Sequence, residues 1–173
     1  MATLNKPSDA TINEFVHDMQ YIFKDDLLSV VLYGSAARGD YFTKKSDINF
    51  LVILTDSGIQ NLADAFGFVG KWTRRGIAIP LFMTKEYIAS SLDSFPIEFL
   101  NLKLHHKLLF GQDLLSSLEI EDSHLRLKCE EQLKSKLLHL WEDFLETEGK
   151  KEKMRRLLIE TIPTLSSIFI GLI

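Results

Sequence analysis

The chain has 173 residues, of which 46% are hydrophobic and 25% are charged, as in a globular protein that can bury a core. Its formal net charge of −4 argues against tight, nonspecific binding to nucleic acid, where neutralised phosphates supply most of the affinity. The single cysteine, Cys129, excludes a disulfide within the chain and a metal site made of several thiolates. We therefore expect a cytoplasmic protein with neither a nucleic-acid partner nor a membrane-spanning segment.

One helix and two apolar strands are predicted in the first third of the chain. Ser8 can cap a helix whose apolar residues recur at helical spacing up to Phe23. The apolar run 27–33 predicts a strand that ends at Gly34. The nearly continuous apolar run 48–54 predicts a second strand at the centre of a sheet.

The middle of the chain is predicted to hold two helices, two further strands and another helix. Residues 59–71 have helical spacing, and a strand over 77–83 contains Pro80, which cannot donate a backbone hydrogen bond and so places that strand at an edge or a bulge. Thr84 can cap a helix that runs to Ser91. We expect a fourth strand over 95–100, followed by a helix from Leu102 that ends at Gly111.

Only helical spacing remains after about residue 122, with an apolar stripe that contains Cys129. The final apolar run 157–173 is shorter than the ~20 apolar residues of a spanning helix and contains charge, so we expect a buried helix. The chain ends on this run, which indicates either truncation or a homodimer or protein partner bound through the C-terminal helices. We predict an α+β fold: a mixed sheet with flanking helices over residues 1–115, then a helical extension over 116–173.

The candidate binding residues lie in the stretch VVLYGSAARGDYFTKKSDINFLVIL, residues 30–54. A turn made by Gly34 and Ser35 after a strand exposes backbone N–H groups, and a glycine lets a phosphate approach the backbone closely. Arg38 can add a positive charge near the same phosphates. Positions 47 and 49 project from one face of a strand, about 7 Å apart, where two carboxylates could hold divalent cations for a phosphoryl transfer.

This stretch resembles the signature of the polymerase-β-like nucleotidyltransferase superfamily: Leu32-Tyr33-Gly34-Ser35, eleven residues, and then Asp47-Ile48-Asn49-Phe50. The resemblance covers about residues 10–115, and the downstream segment FPIEFLNLKLHHKLLFGQDLL is similar to that of small bacterial nucleotidyltransferase-domain proteins. It implies a nucleoside triphosphate held by Gly34, Ser35, Arg38 and Ser46. It also implies Mg²⁺ ions held by Asp47, the residue at position 49 and a third acid, for which Glu98 is the candidate. An acceptor hydroxyl would attack the α-phosphate and release pyrophosphate.

The sequence departs from that signature at Asn49, where the family has an acid. An amide oxygen carries no charge, whereas Mg²⁺ favours carboxylate and water oxygens. Loss of one catalytic group commonly costs ~10²–10⁴ in rate. Two hypotheses therefore stay open. One is a nucleotidyltransferase, with Asp47, Asn49 and Glu98 as catalytic residues, whose activity is impaired. The other is a pseudoenzyme that senses a nucleotide or binds a partner through a degenerate site.

Structural roles compete with these assignments at several positions. Arg38 and Glu98 can be ordinary surface residues, and Asp47 can be an acid at a strand edge that is satisfied by its neighbours. His105 and His106 are expected to be structural side chains on an amphipathic helix, because no second metal ligand occurs near them at useful spacing.

Overall fold

The computed structural model describes residues 8–39 and 47–170. The first helix, α1 (Asp9–Phe23), begins where the Ser8 hydroxyl accepts a hydrogen bond of 3.1 Å from the N–H of Thr11, as predicted. Strand β1 (Leu27–Tyr33) has the predicted bounds and is followed by the single helical turn α2 (Ser35–Arg38).

Four strands in the described residues form one mixed sheet with the order β3-β2-β1-β4. Strands β2 (Asn49–Leu54) and β4 (His106–Gly111) both run antiparallel to β1, whereas β3 (Leu81–Thr84) runs parallel to β2. Strand β3 begins directly after Pro80 and lies at an edge, as predicted. The predicted bounds 77–83 are wrong, because the chain before Pro80 forms an isolated bridge at Ile77 and the strand itself ends at Thr84. The two apolar strands β1 and β2 are central, and almost all of their residues are buried.

One face of this sheet packs against α1 and α4 (Phe66–Arg74). The rings of Phe15 and Phe50 stack with centroids 4.0 Å apart, and Trp72 meets Phe15 edge-on at 5.3 Å. The buried Asp18 carboxylate accepts hydrogen bonds from the Trp72 indole at 3.0 Å and from the Lys71 ammonium at 2.8 Å. These contacts hold the first helix against the fourth beneath the two central strands.

The single helix predicted over residues 59–71 is wrong in its bounds, because the chain is divided here. Helix α3 (Asp56–Gln60) begins earlier than predicted, since the Thr55 hydroxyl caps it by accepting from the N–H of Gly58 at 3.2 Å. Asn61 ends α3 with bonds from its N–H to two preceding carbonyls, and a 3-10 turn (Leu62–Ala65) leads into α4.

Two predictions between residues 95 and 111 are wrong, because helix and strand are exchanged. The segment expected as a strand begins helix α6 (Pro96–Leu104), and the segment expected as a helix contains strand β4. Pro96 occupies the first position of α6, where a missing N–H costs no helical hydrogen bond. Glu98 therefore lies on a helix, and His106 begins a strand. The preceding helix, α5 (Lys85–Ser91), is capped by Thr84 as predicted.

Backbone contacts divide the chain into two compact units. The sheet unit comprises Met1–Ser90 with Leu102–Leu118, and the helical unit comprises Ser91–Asn101 with Glu119–Ile173. In the helical unit, α7 (Asp122–Glu146) and α8 (Lys151–Ile170) form a hairpin, with Cys129 in its core.

The predicted fold class is confirmed: an α+β fold with a mixed sheet, flanking helices and C-terminal helices. The domain boundary near residue 115 stays a prediction. Within the two described ranges, no helix is both long enough and apolar enough to cross a membrane.

Candidate functional site

The turn after β1 lies against the first residue of β2. The antiparallel register pairs Tyr33 with Asn49, so the next residue, Gly34, comes beside the Asn49 side chain. An ideal Cβ built on Gly34 would lie 3.2 Å from Asn49 Nδ2. Strand pairing thus brings together the predicted Gly-Ser turn and the second position of the predicted acid pair.

The backbone of this turn requires a glycine. Gly34 has φ 76° and ψ −151°, a conformation that residues with a Cβ rarely adopt. Its carbonyl accepts hydrogen bonds of 3.1 Å from the N–H groups of both Ala37 and Arg38, which close the helical turn. The half-buried Ser35 begins α2, and the exposed Arg38 ends it.

The acidic side of the motif begins just outside β2. Ile48 is buried and bridges Ile77 in parallel, through a 2.9 Å bond from its N–H to the Gly76 carbonyl. Asp47 and Asn49 flank this anchored residue. Asp47 is exposed, whereas Asn49 is half-buried and donates from Nδ2 to the Asp47 backbone carbonyl at 3.4 Å. The Asn49 amide is thus held by its own chain, between that carbonyl and Gly34.

Few side chains at this site could bind a metal ion. Among the described residues, no group of three or more His, Cys, Asp or Glu side chains is placed to hold a metal ion. Proteins commonly hold Mg²⁺ through one or two carboxylates together with phosphate oxygens. Asp47 and the Asn49 amide therefore fit one Mg²⁺ that arrives with a triphosphate, with Asp47 as the carboxylate ligand. They do not fit a pair of ions, which would need a second acid at position 49.

Two further residues, Glu98 and Ser46, are part of the predicted site. Glu98 is exposed on α6 in the helical unit, so its predicted strand position is wrong and its role as the third acid stays a prediction. Ser46 falls outside the described residues.

Sequence reasoning missed a polar network on the other side of β1. The register pairs Tyr33 with His106 as well as with Asn49. His106 Nε2 lies 3.2 Å from an Asp113 carboxylate oxygen, and its Nδ1 lies 3.1 Å from the Lys103 carbonyl. Burial raises the pKa of the Tyr33 phenol above its ordinary value.

The Asp113 carboxylate is the acceptor at the centre of that network. The Ser116 hydroxyl donates to it at 2.6 Å, and the backbone N–H groups of Leu115 and Ser116 donate as well. These bonds, led by that of the Ser116 hydroxyl, and the nearby His106 lower the pKa of Asp113 to about 2. The spacing Asp-x-x-Ser is a turn signal that could have located this acceptor, but its bond to His106 depends on β4 pairing with β1.

Comparison with known proteins gives one short sequence match. No family model matches this chain. A candidate protein adenylyltransferase of Methanocaldococcus jannaschii is 44% identical over 45 residues, which are 26% of this chain and 44% of that protein. The match thus spans less than half the length of the curated relative.

The fold of this chain is also similar to solved structures of an adenyltransferase and a candidate nucleotidyltransferase. An Enterococcus spectinomycin adenyltransferase, solved with ATP and spectinomycin, has 14% identity and a TM-score of 0.48, over 76% of this chain and 67% of that chain. A candidate nucleotidyltransferase from Sulfolobus solfataricus has 21% identity and a TM-score of 0.39, over 60% and 79%. The curated match, together with the motif on β1 and β2, confirms the predicted resemblance of this chain to the polymerase-β-like nucleotidyltransferases.

Proposed function

We propose that this chain binds a nucleoside triphosphate with Mg²⁺ at the turn between β1 and α2. We further propose that its transfer of a nucleoside monophosphate to an acceptor hydroxyl is impaired by Asn49. The observation that carries the proposal is the 3.2 Å approach of Asn49 Nδ2 to the Cβ position of Gly34. That approach supports the proposal, because it brings the turn close to position 49, one of the two positions that would hold the metal.

The turn supplies the groups that would bind phosphate. Gly34 leaves room for a phosphate beside the backbone, and the Ser35 hydroxyl adds a donor. Arg38, at the end of the same helical turn, adds positive charge. Ser46 is proposed as a further phosphate ligand beside Asp47. A bound Mg²⁺ would neutralise phosphate charge, and the Asp47 carboxylate would share its coordination.

The impairment follows from what Asn49 can and cannot do. Its side chain donates to the Asp47 carbonyl and carries no negative charge, so it cannot balance a second cation at the attacking hydroxyl. Rate losses of about 10²–10⁴ are typical when one such group is missing. Binding through the turn does not need this charge, so we expect nucleotide affinity to survive.

Calorimetric titration with ATP and with GTP, each with and without Mg²⁺, tests the binding step on the natural chain and on Asn49→Asp. We expect Mg²⁺-dependent binding in both proteins, and faster pyrophosphate release in Asn49→Asp. Asn49→Ala is the matched control, because it removes the amide without adding charge. Absence of nucleotide binding under all of these conditions would refute the proposal.

A second experiment tests which hydroxyl group accepts the nucleoside monophosphate. The curated relative is a candidate protein adenylyltransferase, so hydroxyl groups of protein side chains are the first acceptor class to test. Incubation with ATP labelled in its α-phosphate, followed by mass measurement of the chain, detects transfer to the protein itself. Pyrophosphate release without labelled protein would point instead to water or a small molecule.

A noncatalytic nucleotide sensor is the second candidate function. Two observations on the described residues favour it: no group of three or more possible metal ligands is found among them, and the Asn49 amide is hydrogen-bonded to the Asp47 carbonyl. It predicts nucleotide binding in the natural chain and no pyrophosphate release with any nucleotide, in Asn49→Asp as well. Measurable pyrophosphate release by the natural chain would exclude it.

A further inference from the structure

The α7–α8 hairpin carries large apolar side chains on its surface. On α7, Trp141 is 57% exposed, Phe144 is 53% exposed and Leu145 is 76% exposed. On α8, Leu158 is 60% exposed and Ile162 is 65% exposed. Single exposed apolar residues are common, but a cluster of them marks an interaction surface.

Three of these side chains, Trp141, Phe144 and Leu158, border one groove. It has a volume of about 380 Å³ and lies between the two helices. Its walls are formed by six apolar residues: Leu140, Trp141, Phe144, Met154, Leu157 and Leu158. The apolar face, defined as this groove with Leu145 and Ile162, therefore extends across both helices of the hairpin.

The two helices carry opposite charge beside the apolar face. The charged residues nearest the face are Glu142 on α7 and Arg155 on α8. Other charges of this part of the hairpin line a separate groove, in which acids of α7 face basic residues of α8: Asp143, Glu146, Lys153 and Arg156. Successive residues are about 100° apart around a helix. On the circumference of α7, Glu142 therefore comes beside Leu145, on the side away from the groove. On the circumference of α8, Arg155 comes beside Ile162, also on the side away from the groove. The apolar face thus has one acid, Glu142, at its border on α7 and one base, Arg155, at its border on α8.

We propose that the apolar face is the interface of a homodimer, in which α7 of each copy packs antiparallel on α8 of the other. A two-fold interface uses the same surface twice and must therefore be complementary to itself. A face with one acidic and one basic border meets this condition when the two-fold axis runs along the helices. The result is a four-helix bundle with both apolar faces inside.

The positions of Glu142 and Arg155 along the length of the hairpin agree with a two-fold axis parallel to the helices. Glu142 lies five residues before Thr147, and Arg155 lies five residues after Lys150, on either side of the connecting turn. Both residues are therefore at nearly the same height in the hairpin. Rotation about an axis parallel to the helices keeps height unchanged, so Glu142 meets Arg155 of the partner subunit.

Light scattering coupled to gel filtration tests the dimer on the whole chain. Over about a hundredfold range of concentration, we expect the measured mass to rise to twice the chain mass of 19.8 kDa. Trp141→Glu and Leu158→Glu should each remain monomeric while circular dichroism retains the helical signal. The control is Phe66→Glu, at a 75% exposed phenylalanine of the sheet unit. It should still dimerise.

Charge reversal then tests the arrangement of the two copies. Glu142→Arg and Arg155→Glu should each weaken the dimer by about tenfold or more, because like charges then face each other. The double variant should dimerise as the natural chain does, and a mixture of the two single variants should form mixed dimers. Glu142 also contacts His139 at 3.3 Å, but this exposed contact contributes little to dimer stability.

Three results would overturn the proposal. One is a chain that stays monomeric throughout the concentration range, which would leave the face to a different partner. Another is equal loss of dimer in Phe66→Glu and Trp141→Glu. The third is a double charge variant that fails to recover. None of these measurements involves nucleotide, so their outcome is separate from that of the proposed nucleotide site.

Discussion

Replacement of Gly34 by alanine perturbs the candidate site at the point where the turn meets β2. The change adds one methyl group and leaves every charge in place. Gly34 has φ 76° and ψ −151°, and its added Cβ would lie 3.2 Å from Asn49 Nδ2. The substitution therefore strains the backbone and crowds the neighbouring amide, two effects that a second substitution can separate.

The backbone effect should be the larger. A residue other than glycine in this region of conformational space costs about 1–3 kcal/mol. The steric contact is smaller, because the half-buried Asn49 side chain needs to move by only a few tenths of an ångström. We expect Gly34→Ala to lower the free energy of unfolding by about 2 kcal/mol, mostly through backbone strain. Relaxation of the turn should also move the Ser35 donors away from the phosphate position and weaken nucleotide binding.

Urea unfolding of Gly34→Ala, Asn49→Ala and the double variant separates the two contributions. Asn49→Ala removes the steric contact but not the backbone strain. Most of the stability that Gly34→Ala loses in the natural chain should therefore also be lost when the same change is made in Asn49→Ala. Gly39→Ala is the matched control at the other end of α2. Gly39 has φ 86°, and apart from its chain neighbours no atom of residues 8–39 or 47–170 lies within 4 Å of its ideal Cβ, so strain without crowding is expected from these residues. Unchanged stability and ATP affinity in Gly34→Ala would refute the reasoning.

Two further substitutions test the frame around the site. Asp18→Ala should cost about 2–4 kcal/mol in urea unfolding, because it leaves the buried Trp72 indole and the Lys71 ammonium without their shared acceptor. Asp18→Asn, which keeps an acceptor for Trp72, should cost less; equal losses would contradict this account. Asp113 has its pKa lowered to about 2, first by the Ser116 hydroxyl, so its contribution is complete above the ordinary value of 3.8 and is lost as pH falls towards 2. The melting temperature should fall over this interval less steeply in Asp113→Asn than in the natural chain, and identical curves would contradict the assignment.

Where local chemistry decides the structure, the sequence predicted it well. Ser8 and Thr84 cap their helices through their own hydroxyls, which needs no information from the rest of the chain. The apolar run of β1, which ends at Gly34, favoured a buried strand, and Pro80 indicated an edge or a bulge for β3. These elements follow from contacts between residues a few positions apart.

The exchange of α6 and β4 has a long-range cause. Short apolar runs fit either a helix or a strand, and the alternation of Ile97 and Phe99 suggested a strand. The identity of β4 depends on pairing with β1, whose residues lie about 75 positions earlier in the chain. The same dependence hid the His106–Asp113 contact, and it made the strand position of Glu98 wrong. For the candidate site, the residues of the turn and of positions 47 and 49 could be predicted, but the contact between Gly34 and Asn49 required the register of β1 with β2.

The register also makes Asn49→Asp a test of metal binding that does not depend on catalysis. In the natural chain, Nδ2 donates to the Asp47 carbonyl at 3.4 Å. A carboxylate at this position would turn that donor into an acceptor facing a carbonyl oxygen, close to the Asp47 carboxylate. Without metal we therefore expect Asn49→Asp to be less stable by about 1 kcal/mol.

Mg²⁺ should reverse this loss, since a cation between two acids relieves their repulsion. At a Mg²⁺ concentration about tenfold above its dissociation constant, ligand linkage adds about 1.4 kcal/mol to the free energy of unfolding. The melting temperature of Asn49→Asp should therefore rise with Mg²⁺, whereas the natural chain and Asn49→Ala, each with a single acid, should respond little. An equal response in all three proteins would mean that Mg²⁺ binds elsewhere. No response in Asn49→Asp would mean that positions 47 and 49 do not converge on one ion, and the account of impairment by Asn49 would then fail even if nucleotide binding held.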